Sequence, residues 1–182
     1  MIHEMPHLCT ILKRQKKQKL TYTGGAGTPV VGETVTGGTS TYTGIVDRVA
    51  TGYIVVKTLT GTFTVGETIT TALFSGTLAT ISDYQNSSGE YEYYWDIDKA
   101  NVRCKFYRSS ARIIVIAPGA TIDRPLKCAL PSTTTITAKT AIDYKISTTE
   151  TQFDGTYSIS NFVPLQGLSL RIDHFEVTLV AP

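Results

Sequence analysis

Glu33 and Glu67 hold matched places in a repeat: Gly27-Thr-Pro-Val-Val-Gly-Glu-Thr-Val-Thr36 returns as Gly61-Thr-Phe-Thr-Val-Gly-Glu-Thr-Ile-Thr70. Two carboxylates brought face to face could work as acid and base in glycoside hydrolysis. At matched Gly-Glu turns they read more simply as solvated hairpin residues, each exposed at a strand start, with the preceding glycine in a turn or bulge conformation. His3 and His7 are four apart, but Pro6 breaks any helical metal face between them. His174 lies beside Asp173 in a β-rich run, and strand neighbours point to opposite faces, so the two do not form a dyad. Ser109-Ser110 has no base at a defined place. Cys9, Cys104 and Cys128 are an odd count without a C-x-x-C spacing, which supports neither a zinc framework nor disulfides. They read as reduced, buried thiols of a chain folded in a reducing compartment. The sequence has no P-loop, no G-x-G-x-x-G after a strand, no G-x-S-x-G and no H-E-x-x-H. No catalytic residue, metal ligand or cofactor is therefore expected, and the chain reads as a non-enzyme.

The elements that would carry these residues are strands. Of the 182 residues, 41% are hydrophobic and only 18% charged; Thr and Gly, with Val, Ile and Tyr, make up the difference. Those residues suit pleated surfaces and tight turns. Strands are expected over 8–12, 20–22, 30–36, 41–49, 53–59, 62–70, 76–81, 91–97, 102–107, 112–117, 124–130, 144–146, 156–163 and 168–180, with 138–143 a loop or brief helix. Segment 20–22 is expected to pair with 8–12 as a hairpin. Many short strands without a helical moment predict an all-β fold, a small β-barrel core with an inserted β-module. Two copies are too few for a free-standing solenoid. The glycine run 23–27 and the polar loop 83–89 place the duplicated module at 23–88, leaving 1–22 and 89–182 as the core. No apolar run reaches membrane-spanning length, and the start lacks the apolar stretch of a signal peptide.

Charge and aromatics are unevenly spread. The net charge of +2 does not mark a dedicated nucleic-acid binder. Lys13, Arg14, Lys16, Lys17 and Lys19 nevertheless form a basic run, read either as a solvated strand end or as a docking or DNA-channel patch. Alternation puts Tyr91, Tyr93 and Trp95 on one strand face and Glu92, Tyr94 and Asp96 on the other. The aromatic face is read as core, as a subunit contact or, more weakly, as a sugar platform.

From Asn101 onward, Val102-Arg-Cys-Lys-Phe-Tyr-Arg-Ser-Ser110, Arg124-Pro125, Leu130-Pro131, Asp143, Phe153-Asp-Gly-Thr-Tyr-Ser-Ile159 and Leu170-Arg-Ile-Asp-His-Phe-Glu-Val177 form a further pattern. Together with the opening His7-Leu-Cys-Thr-Ile-Leu-Lys-Arg14, it resembles the tailed-bacteriophage head-closure proteins, also called stopper or head-completion proteins. The Gly-Glu-Thr-[Val/Ile]-Thr repeat is separately similar to small β-modules of phage structural proteins. The resemblance implies a virion neck protein, assembled in the host cytoplasm, that forms a six- or twelve-fold ring. Such a ring seals the DNA channel below the portal and adaptor, offers a platform to the tail terminator or tail tube, and touches DNA transiently, with no membrane or cofactor. Tyr93, Trp95, Arg124, Arg171, His174 and Phe175 are the candidate contacts between copies or with partners. The 168–180 strand and the N-terminal segment are the expected interface strands, their edges covered by neighbouring subunits. The alternative is a phage tail or baseplate β-domain that binds a host-surface glycan through the repeat module and Tyr91–Trp95.

Overall fold

The computed structural model describes residues 5–108, 126–131, 136, 140–166 and 172–180, and of 162, 164–166 and 172–174 the backbone alone. The chain is all-β. Its strands are β1 (His7–Lys16), β2 (Gln18–Gly27), β3 (Thr34–Gly37), β4 (Thr43–Ala50), β5 (Tyr53–Lys57), β6 (Thr68–Thr70), β7 (Phe74–Asp83), β8 (Tyr93–Arg108), β9 (Leu126–Pro131), β10 (Tyr144–Thr148), β11 (Gly155–Gln166) and β12 (Ile172–Val180), with one 3-10 turn at Ala141–Asp143. They close into two barrels, in the orders β1-β10-β11-β12-β9-β8 and β2-β5-β4-β3-β6-β7. No described helix is long and apolar enough to cross a membrane.

The two compact units are Met1–Lys13 with Ile97–Pro182, and Arg14–Asp96. The inserted unit therefore begins earlier and ends later than the 23–88 read from the repeat. Segment 20–22 belongs to β2, which pairs with β5 and β7 and not with the first strand. The reason is local: residues 13–19 contain no Gly, Pro or Asn, so nothing can fold the chain back on itself there. The expected joint at 23–27 is instead strand. A side chain at Gly27 would put its Cβ within 1.8 Å of the Leu73 carbonyl oxygen, so glycine is what lets β2 approach β7 this closely. The expected exit loop also stays inside the second unit. Asn86 Oδ1 accepts from the Ser88 and Glu90 N–H groups, and Gln85 bridges Tyr91, turning the chain back.

The second barrel is the duplication made three-dimensional. Each copy contributes three strands, β2-β3-β4 and β5-β6-β7, and exchanging the copies maps the ring onto itself. Two of the three pairs of like strands meet antiparallel, β2 with β5 and β3 with β6, with Leu20 opposite Ile54 and Thr36 opposite Thr70. Gly32 and Gly66 take φ of 92° and 91°, and the residue after each donates its N–H back across the turn, Glu33 to Val30 O and Glu67 to Thr64 O. Only glycine adopts that third turn position cheaply, as the repeat predicts. The core is doubled too: Leu20 and Ile54, Val35 and Ile69, and Val46 and Leu78 are all fully or almost fully buried. We expect Leu20→Ala to cost about 3 kcal/mol in a denaturant titration, because neighbours on both copies would border the cavity.

The first barrel joins the two ends of the chain. β1 pairs with β10 from Thr10–Ser147 to Lys13–Tyr144, and β11, β12 and β9 follow in antiparallel register. Its core includes Ile11, Leu130, Ile136, Ile146, Val177 and Leu179. The expected break between strands at 97 and 102 does not occur. β8 runs through Asn101, whose φ of 53° is a left-handed conformation that asparagine tolerates better than most residues. Segments 112–117, 124–125 and 168–171, expected as strand, lie outside the described residues.

Candidate interaction surface

Around the basic run, the residues of the second unit form a charge network rather than an open patch. Lys17 sits between β1 and β2 and is tied by its backbone to Glu92 O and by its own carbonyl to Tyr84 N–H. Its ammonium donates to Asp47 at 2.6 Å and to Glu92 at 3.1 Å; Lys57 reaches Asp47 at 2.7 Å and Arg48 reaches Glu92 at 2.9 Å. The Lys17 and Asp47 side chains are only 14% and 13% exposed, so this charge is spent inside the fold. Lys16 pairs with Asp83 at the surface. Arg14 lies 4.1 Å from the Tyr93 ring centre, Lys16 4.0 Å from that of Tyr91, and Lys19 4.2 Å from that of Tyr53. Lys13 belongs to the first unit and lies 6.0 Å from the Tyr144 ring centre. The opposite charge of Glu92, beside the aromatic cluster, was the one sequence signal for this pairing.

The aromatic strand faces outward. Tyr91, Tyr93 and Trp95 are exposed, whereas Glu92, Tyr94 and Asp96 are half-buried. The alternation is as read from sequence, but the core reading of the aromatic face is corrected: this barrel fills its interior with aliphatic residues of the duplicated strands together with Phe63 and Phe74, and turns Glu92 toward Lys17. Tyr94 accepts from the Leu59 N–H.

The two repeat glutamates are not freely exposed at strand starts. Glu67 is 5% exposed, and its carboxylate accepts from the N–H groups of Thr39, Ser40 and Thr64 and from the Ser40 hydroxyl. Burial alone would raise its pKa; those donors outweigh it and hold the carboxyl below its usual range. Glu33 is half-buried and accepts from Val30 N–H and the Thr71 hydroxyl. Each glutamate thus grips its own turn and the loop after the other copy's strand. With both carboxylate oxygens of Glu67 engaged, its bonds tie one copy's turn to the other copy.

No family model, curated protein or solved structure matches this chain.

In the first unit, Phe175 is half-buried and packs against the barrel core, so it supports the interior. His174, on β12, pairs in register with Pro131 of β9 and Leu165 of β11. Arg124 and Arg171 lie outside the described residues, as do His3 and Ser109-Ser110. His7 starts β1, its Nδ1 accepts from Phe106 N–H, and its ring packs on Phe106 and Phe153. On the same barrel, Glu176 accepts from the Tyr107 hydroxyl and from Lys127 at 2.6 Å. Burial, then the Glu176 bond, pushes the Tyr107 hydroxyl well up. The expectation that β1 and β12 offer open edges is corrected, because both have a neighbour on each side once the barrel closes.

All three cysteines are buried and free, and their Sγ atoms all lie within 4.8 Å of one another. Sequence spacing gave no sign of this meeting, since Cys9, Cys104 and Cys128 come from β1, β8 and β9.

Proposed function

We propose that this chain is a structural neck protein of a tailed bacteriophage, a ring-forming head-closure component. It would seal the DNA channel beneath the portal and adaptor and receive the tail, acting as part of the virion without enzymatic activity. The observation that carries the reading is that the two separated stretches resembling head-closure proteins, at the start of the chain and after Asn101, meet in one closed barrel, with the duplicated stretch folded as a barrel of its own. Such a plug needs a rigid scaffold and outward groups, not a reacting centre. With both rings closed, contacts between copies would use outward side chains and loops rather than a free strand edge.

Of the basic run, Lys17 drops out of any channel patch, because it is committed to Asp47 and Glu92. The glycan alternative loses support at Tyr91 and Tyr93, whose ring faces already carry Lys16 and Arg14. The test is assembly. Purified chain mixed with portal–adaptor complexes is expected to add a six- or twelve-fold ring in electron microscopy, and phage lacking the chain are expected to fill heads that then leak DNA. A chain that stays monomeric in the particle, that turns over a small molecule, or that binds sugars saturably would overturn the reading.

A further inference from the structure

We propose that Cys9, Cys104 and Cys128 form a binding site for one soft divalent d10 metal ion of the zinc–cadmium type inside the first barrel. The three are the only cysteines in the chain, 95 and 24 residues apart in sequence, yet they converge on one point. Thiols used merely as small apolar side chains have no reason to meet, since the same core holds many other buried positions. β8 lies between β1 and β9 in the ring, so three adjacent strands each point one sulfur inward at one level. Their Sγ separations of at most 4.8 Å come close to what coordination requires. A metal–sulfur bond of about 2.3 Å places three sulfurs roughly 3.8–4.0 Å apart in tetrahedral or trigonal geometry.

The surroundings select the ion. Exposure of the three residues is 3%, 0% and 0%, and the apolar core they belong to includes Ile11, Phe106, Leu126, Leu130 and Ile146. Among the described residues no carboxylate or histidine completes the cluster, which favours a thiophilic ion over a hard one. Charge matters in so apolar a site. Three thiolates around a divalent ion leave one net negative charge, whereas a monovalent ion would leave two. Binding follows M2+ plus three thiols giving a tris-thiolate complex with one negative charge and three protons released to solvent. No oxidant or reductant enters, and the inference stands apart from the neck reading.

The experiment uses the full chain, reduced and kept free of oxygen, titrated with Cd2+. A sulfur-to-cadmium charge-transfer absorbance is expected to grow and saturate at one ion per chain, and zinc is expected in the same amount when the protein is prepared without chelator. Tm should rise by about 10 °C at a hundredfold excess of ion over Kd. Cys9→Ala, Cys104→Ala and Cys128→Ala should each abolish the saturable band, with circular dichroism confirming that the strands persist. If a variant fails to fold, alkylation of the wild type decides: saturating Cd2+ should protect all three thiols together under mild denaturant. No band and no Tm shift in folded, reduced wild type would overturn the proposal. So would a band that survives unchanged in a folded Cys→Ala variant, or protection of one thiol alone.

Discussion

Glu67→Ala is expected to lower the stability of the second barrel by about 3 kcal/mol, while the equivalent change in the other copy, Glu33→Ala, costs about 1 kcal/mol. The asymmetry follows from what each carboxylate satisfies. Glu67 is buried and accepts from three backbone N–H groups and one hydroxyl; Glu33 is half-buried and accepts from one of each. Alanine at 67 leaves several inward donors without an acceptor, and water reaches them only in part. Glu67→Gln should recover about half of the loss, because one amide oxygen can still accept whereas the amide nitrogen repels the remaining donors. Urea titrations followed by Trp95 fluorescence would measure all three variants. The sign of the pH dependence is set by the same bonds. The Glu67 carboxyl is held below its usual 4.5, so its contribution is fully present above that value and disappears as pH falls through the lowered one. Acid should therefore narrow the gap between wild type and Glu67→Gln. A gap that stays constant from neutral pH down to acid unfolding would contradict this account.

Lys17→Met is expected to cost about 2 kcal/mol, because it strands two mostly buried carboxylates whose other partners stand at the rim. Asp47 would keep Lys57 and Glu92 would keep Arg48, which limits the loss. Lys57→Met should cost under about 1 kcal/mol, since Lys57 is more exposed and water takes over its role. Added salt should change the Lys17 effect little and the Lys57 effect more. Burial works against the charged form of both Asp47 and Lys17. For Asp47 it is outweighed by Lys17 and Lys57, so the carboxyl lies below its usual 3.8; for Lys17 it is outweighed by Asp47 and Glu92, so the ammonium titrates above its usual 10.5. The pair's stabilisation is thus present above pH 3.8 and below pH 10.5. It is lost as pH falls through the Asp47 value or rises through that of Lys17. Lys17→Met should flatten both limbs of the stability profile, which thermal melts across that range would read directly.

Local pattern carried far in this chain. Alternation put Tyr91, Tyr93 and Trp95 on one face, because side-chain direction in a strand depends only on its own backbone. Which of two faces turns inward depends on neighbours, and of the three readings open for the Tyr91–Trp95 face the core one fails because all three side chains are exposed. The Gly-Glu repeat likewise located two turns correctly, whereas the burial of Glu67 depends on residues 39–40 of the other copy.

Composition, alternation and the duplicated Gly-Glu-Thr stretch by themselves determined an all-β chain and a module built twice, since strand propensity and turn conformation are properties of short segments. Only the tertiary structure decided that the described strands of both units close into rings, that Lys17 of the basic run turns inward onto Asp47 and Glu92, and that three scattered cysteines share one point. Ring closure and such meetings are pairings between residues tens of positions apart, and no spacing along one chain encodes which strands will become neighbours.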